Sequence, residues 1–169
     1  NPYELTEDER AVMNSLSASI INSERLQTHI RYMFSHGALY KRINGNLLFH
    51  GCIPMDENGD FLPVDIYGAK CAGRALMDHL DKQIRASYFS PEKIKKYGKP
   101  GDLMWYLWLA KDSPLFGKEK MTTFERLFID DKASHKEPVR PYYKLINSKE
   151  PCEKILCEFG LDPSHSKIL

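Results

Sequence analysis

No run of about 18 apolar residues occurs anywhere in the chain, so nothing in it reads as a membrane-spanning helix. Charge of one sign is not in excess either. The 24 Lys and Arg residues against 23 Asp and Glu leave a formal net charge of +1, which argues against a surface built for nucleic acid. Cysteine is scarce. Cys52, Cys71, Cys152 and Cys157 include no C-x-x-C pair, and Cys152 and Cys157 have no second close pair with which to complete a zinc site. Reduced thiols in a cytosolic protein are the simplest account. Residues 1–12 are acidic and polar, which excludes a signal-peptide pattern there. No internal repeat is found.

What is present suits a folded domain. The 169 residues are 42% hydrophobic and 11% aromatic, enough for one domain with a real core and too apolar for disorder. Thr6, with Glu9 three residues on, forms the pattern of a capping box. Val12, Leu16, Ile20, Leu26, Ile30, Met33 and Phe34 then keep roughly helical spacing, predicting a helix to about His36, ended by Gly37. Leu39 to Ile43, Asn44-Gly45 and Leu47 to Phe49 follow. Asn-Gly between two apolar runs is the strongest short-range hairpin signal, so residues 38–50 are expected to form two strands.

Met55 to Phe61 is rich in Asp, Asn and Gly. Asp56, Asn58 and Asp60 have the spacing of a calcium loop, but the glycine at the sixth position and the distal Glu are missing, so a turn is expected. A second helix is predicted from about Ala69 to Tyr88, with Cys71, Ala75, Leu76, Leu80 and Ile84 as its core face. Ser90-Pro91-Glu92 opens a short third helix with Lys93, Lys95, Lys96 and Lys99 on a solvated face. The run Leu103 to Leu109 is unusually aromatic and reads as core or interface, with Trp105 and Trp108 expected to pack in the core. Thr122 to Ile129 reads as a helix or strand and 130–141 as a polar surface loop. A last helix is expected from about Ser148 to Phe159, ended by Gly160. Ser166 to Leu169 looks like the start of a strand. With no methionine at Asn1, the chain is expected to be a piece of something longer.

The most informative stretch is Asn46 to Pro54, a short apolar strand ending in His50, Gly51 and a proline. A strand end delivers a side chain with little freedom. Neutral imidazole offers a lone pair to a metal, and Gly51 lets the backbone pass close to whatever His50 holds. His50 is therefore either a metal ligand or a hydrogen-bonded structural histidine. His29, His36, His79, His135 and His165 match no ligand pattern.

Leu48-Phe49-His50-Gly51-Cys52-Ile53-Pro54 resembles the V-H-G-G-L-S-P segment of the calcineurin-like metallophosphatases. Asp102 to Trp108, with Asp112-Ser113-Pro114, is similar to the D-L-L-W-S-D-P segment that follows it, with a longer insert between. The closer resemblance is to the class III fructose-1,6-bisphosphatases. It covers the whole chain and is most specific at Asn46 to Gly59, Gly101 to Ile129 and Cys152 to Pro163.

The resemblance implies an α/β fold, a fragment of a calcineurin-like metallophosphatase sandwich, mostly helical with one hairpin. It implies a partial metallophosphatase domain over 1–169 with a helical insert at about 55–100. It implies hydrolysis of the 1-phosphate of fructose 1,6-bisphosphate in gluconeogenesis, in the cytoplasm, with manganese as the metal. His50 is then a metal ligand. The family's D-x-H, G-D-x-x-D-R-G, G-N-H and final G-H motifs are absent, so one ligand at most comes from this chain and no catalytic residue is assigned. Lys118 and Arg126 are candidates to neutralise a substrate phosphate, or are surface cations paired with Asp130 or Glu125. Arg74 is a weaker third candidate. Nucleic-acid and membrane partners are not expected, and a homo-oligomer is left open. Two other readings stand beside this one: a regulatory or assembly segment without catalytic residues, and another calcineurin-like enzyme such as a serine/threonine phosphatase.

Overall fold

Thr6 caps the first helix as its sequence pattern demands. Its hydroxyl accepts from the Glu9 N–H at 3.3 Å, and the Glu9 carboxylate accepts from the Thr6 N–H at 2.8 Å. The computed structural model of the chain describes residues 4–91 and 99–169. The expected third helix at Ser90–Glu92 and the Lys93, Lys95 and Lys96 face fall largely outside those residues.

By contact density the chain divides into Asn1–Gly37 and Ala38–Leu169. The first unit holds two helices where one was expected: α1 (Glu7–Ile21) and α2 (Glu24–His36). The break has a local cause. Asn22 closes α1, its N–H bonded to Ala18 O at 2.9 Å, and the Ser23 hydroxyl then accepts from the Leu26 N–H at 3.3 Å to start α2. Asn-Ser-Glu is a stop followed by a start, and it outweighs the apolar period that runs through it.

The second unit opens with the expected hairpin, β1 (Tyr40–Ile43) and β2 (Asn46–Phe49), antiparallel with Ile43 opposite Asn46 and Tyr40 opposite Phe49. Asn44 and Gly45 have φ of 50° and 75°, the two positive values that a tight turn matching the strand twist requires. Antiparallel pairing alternates the direction of the backbone groups. Leu47 therefore turns its N–H and C=O away from β1, and both are taken by the chain end. Leu47 N bonds Lys167 O at 2.8 Å, Leu169 N bonds Leu47 O at 2.9 Å, and Ile168 bridges Leu47 in parallel. The strand expected at 166–169 is thus a single bridge on the far side of β2.

A second hairpin was not expected. β3 (Val64–Ile66) and β4 (Ala69–Cys71) pair antiparallel across Tyr67-Gly68, both with positive φ. The predicted helix start at Ala69 is corrected by this: α3 runs Gly73–Tyr88. Cys71 lies in the strand and Ala75 is exposed, so the core face of α3 is Leu76, Met77, Leu80 and Ile84. The region 55–91 is accordingly strand as well as helix. Ala72 gives α3 no side-chain cap. The cap comes from a later element, because Glu158 Oε1 accepts from the Arg74 N–H at 3.0 Å.

Among the described residues four more helices follow: α4 (Lys99–Leu109), α5 (Thr123–Phe128), α6 (Tyr142–Leu145) and α7 (Lys149–Glu158). α4 packs on α3 through Leu103 and Leu107, four apart and buried. Trp105 and Trp108 are exposed, which corrects the expectation that they sit in the core. Residues two and one positions away from that stripe cannot share its face. The core joins Leu47, Ile53, Met55, Leu80, Ile155 and Phe159, all essentially sealed from solvent, with the Tyr40 ring edge-on to Phe159 at 4.7 Å.

Candidate functional site

β2 ends at Phe49 and presents His50 at the surface. The next residue fixes where that surface lies. Gly51 has φ +92°, and a Cβ there would collide with the Pro114 carbonyl oxygen and stand 3.0 Å from that of Leu115. Only glycine allows this approach. Cys52 N then donates to Pro114 O at 2.8 Å. The His-Gly-Cys and Asp-Ser-Pro segments, 61 positions apart from Cys52 to Ser113, therefore lie against each other.

Ser113 holds the second segment in shape. Its buried hydroxyl donates to Leu107 O at 2.7 Å and accepts from Leu115 N at 3.2 Å. Asp112 forms an ion pair with Arg140, Oδ1 to Nη2 2.7 Å. Arg140 is itself buried and reaches Glu119 at 3.3 Å. Its backbone N–H meets Gly117 O at 3.4 Å, and Lys118 bridges Val139. One continuous path therefore joins 50–52, 112–119 and 137–140.

Lys118 and Arg126, eight positions apart, converge on one carboxylate. Lys118 Nζ lies 2.6 Å from Glu137 Oε2 and Arg126 Nη2 3.7 Å from Oε1. Thr122 donates to Oε1 through its N–H at 2.9 Å and its hydroxyl at 3.0 Å. The hydrogen bonds from Lys118, first, and from Thr122 hold the Glu137 carboxyl at about 2. The pairing expected with Asp130 or Glu125 is corrected to Glu137, which the sequence hid because it lies in the polar loop beyond both. Arg74 belongs to another cluster. Its Nε lies 3.2 Å from Tyr40 Oη and 3.4 Å from Asp78, and no described contact joins it to Lys118 or Arg126.

Two arrangements that imitate chemistry are structural. Asp162, Ser164 and His165 lie within 3.0 Å of one another, but Ser164 and Asp162 both meet His165 through Nδ1. A relay needs the two partners on different ring nitrogens, so this is a turn. Cys52 is buried, and burial, only partly opposed by Arg140, pushes its thiol up to about 12. It is not a nucleophile at neutral pH.

Among the described residues no group of three or more His, Cys, Asp or Glu is placed to hold a metal ion. Asp56, Asn58 and Asp60 form the expected turn, with the Asp56 carboxylate accepting from the Asn58 and Asp60 N–H groups at 2.9 and 3.0 Å. His50 alone does not make a manganese site. No helix among the described residues is long and apolar enough to cross a membrane.

The arrangement defines a mixed helix-and-strand protein in which a histidine-bearing strand end rests on a Ser-Pro loop that leads into paired cations. The family model for Firmicute fructose-1,6-bisphosphatase matches residues 1–169. The chain belongs to that family. It is 50% identical over 169 residues to a "Fructose-1,6-bisphosphatase class 3" of Clostridium acetobutylicum, covering all of this chain and 25% of that protein. A protein of the same name from Fusobacterium nucleatum is 47% identical over 169 residues, covering all of this chain and 26% of the relative. One from Clostridium botulinum is 50% identical over 172 residues, with the same full coverage here and 25% there. The chain thus spans about a quarter of the length of the curated relatives it matches. No solved structure matches it.

Proposed function

We propose that this chain is part of a metal-dependent phosphatase that hydrolyses the 1-phosphate of fructose 1,6-bisphosphate, giving fructose 6-phosphate and inorganic phosphate in gluconeogenesis. The observation that carries this reading is the contact of Gly51-Cys52 with Ser113-Pro114-Leu115. It joins the two segments that resemble metallophosphatase motifs, in a chain whose relatives carry the name fructose-1,6-bisphosphatase. In this reading β1, β2 and the bridge at Ile168 belong to a calcineurin-like sandwich. His50 is one donor toward manganese, whose remaining donors lie in the part of the enzyme that this chain does not span. Lys118 and Arg126 neutralise a substrate phosphate. The enzyme works in the cytoplasm.

The test is His50→Ala in the full-length enzyme. Loss of a metal donor misplaces the phosphate and lowers turnover by about a hundredfold or more. Bound manganese falls, and the thermal midpoint stays near that of the parent, because His50 is exposed. Normal turnover with normal manganese content in the folded variant ends the assignment.

A further inference from the structure

Glu137 is the least exposed of the three charged residues in its cluster. Its side chain is 15% exposed, against 42% for Lys118 and 56% for Arg126. The carboxylate therefore sits behind the two cations. Both of its oxygens are occupied: Oε2 by Lys118, Oε1 by the Thr122 N–H and hydroxyl, with the Arg126 guanidinium in ion-pair range at 3.7 Å. Arg126 is held a second time, its Nε donating to Thr122 Oγ1 at 3.1 Å and its Nη2 to His135 O at 3.4 Å. Thr122 is wholly buried, so this anchor does not move.

The cations are not used up by these bonds. An ammonium has three donors and a guanidinium five. Lys118 spends one on Glu137. Arg126 spends its Nε and part of its Nη2 on Thr122 and His135, leaving Nη1 open. The trio carries a net charge of +1. Two flexible cations tied at their backs and open at their fronts form a preorganised receptor for a compact anion, since the conformational cost of ordering them is met by folding, not by binding.

We propose that Glu137 is the positioning residue of a two-cation phosphate receptor made by Lys118 and Arg126. This rests on the reading of the chain as part of a sugar-phosphate phosphatase. A positioning role and a merely neutralising role predict opposite signs. If Glu137 only cancels charge, removing its charge strengthens the field at the cations and tightens phosphate. If it orients them, the same change releases both side chains and weakens phosphate.

The experiment uses the full-length enzyme, with fructose 1,6-bisphosphate as substrate and inorganic phosphate as competitive probe. Lys118→Ala and Arg126→Ala are each expected to raise KM and the phosphate inhibition constant about tenfold, the scale of a lost charge-assisted bond. Glu137→Gln keeps the acceptor for Thr122 and the shape. It is expected to raise both constants about fivefold, and to add nothing in a Lys118→Ala/Arg126→Ala background. Glu137→Asp, too short to reach both cations, serves as a second variant with the same expected direction. Constants that fall or stay level in Glu137→Gln, while those of the two cation variants rise, overturn the positioning role alone. Constants unchanged in Lys118→Ala and Arg126→Ala overturn the receptor itself and remove these cations from the functional reading.

Discussion

Gly51 shows how far a single missing Cβ governs this chain. With φ at +92° and the Pro114 carbonyl in the way, Gly51→Ala meets backbone strain and a backbone collision together, and neither partner can swing aside. A destabilisation of about 2–4 kcal/mol follows, measurable by urea denaturation, against about 1–2 kcal/mol for alanine at Gly68, where φ is +87° but the space is open and only the backbone strain remains. Thiol chemistry separates the cysteines in the same way. Cys52 is buried with its thiol at about 12, whereas Cys157 is exposed. Iodoacetamide at pH 8 is expected to label Cys157 and to spare Cys52 until the chain unfolds, as peptide mapping would show. Glu137 supplies a pH dependence. Its folded value near 2 lies below the ordinary 4.5, so its stabilising contribution is fully present above about pH 4.5 and is lost as the pH falls from there toward 2. Denaturation midpoints compared at pH 6 and pH 3 are expected to differ less in Glu137→Gln than in the parent.

The elements divide into those legible from local chemistry and those set by distant partners. The Thr6 box, the Asn44-Gly45 turn and the Gly160 stop are local, and each stands where its residues place it. The second hairpin was missed because Tyr67-Gly68 lacks the Asn-Gly signature, and a tyrosine at φ 55° is not a turn former by preference. The apolar period of α3 continues back through β4 to Cys71, which hides the boundary between them. His50 and its glycine were visible as a pattern. The meeting with Pro114, and the role of Glu137, were not, since both depend on contacts across many residues that no period encodes. The start of α3 shows the same dependence. A Cβ at Gly73 would lie 2.7 Å from Glu158 Oε1, the group that caps Arg74 N. Glu158→Ala is expected to cost about 1 kcal/mol through the lost cap. Gly73→Ala is expected to cost less in the Glu158→Ala background than in the parent, and a double-mutant cycle by chemical denaturation measures that coupling.

At the scale of the molecule, no group of three or more His, Cys, Asp or Glu among the described residues is placed to hold a metal ion. The 169-residue chain alone is therefore expected to show no manganese-dependent release of phosphate from fructose 1,6-bisphosphate. Measurable turnover by rigorously purified chain would contradict the division of labour proposed for His50. Its central strand also imposes an order of events in time. Leu47 is sealed from solvent, and its backbone groups are paired by Lys167 and Leu169. A ribosome adding about 5–20 residues per second needs on the order of ten seconds to travel from one partner to the other. During that interval the edge of β2 has no native neighbour and is open to a strand from another nascent chain. Trigger for closure is thus the last few residues of the segment, and slowing synthesis between Gly51 and Lys167 is expected to raise the aggregated fraction, read by sedimentation of the newly made chain.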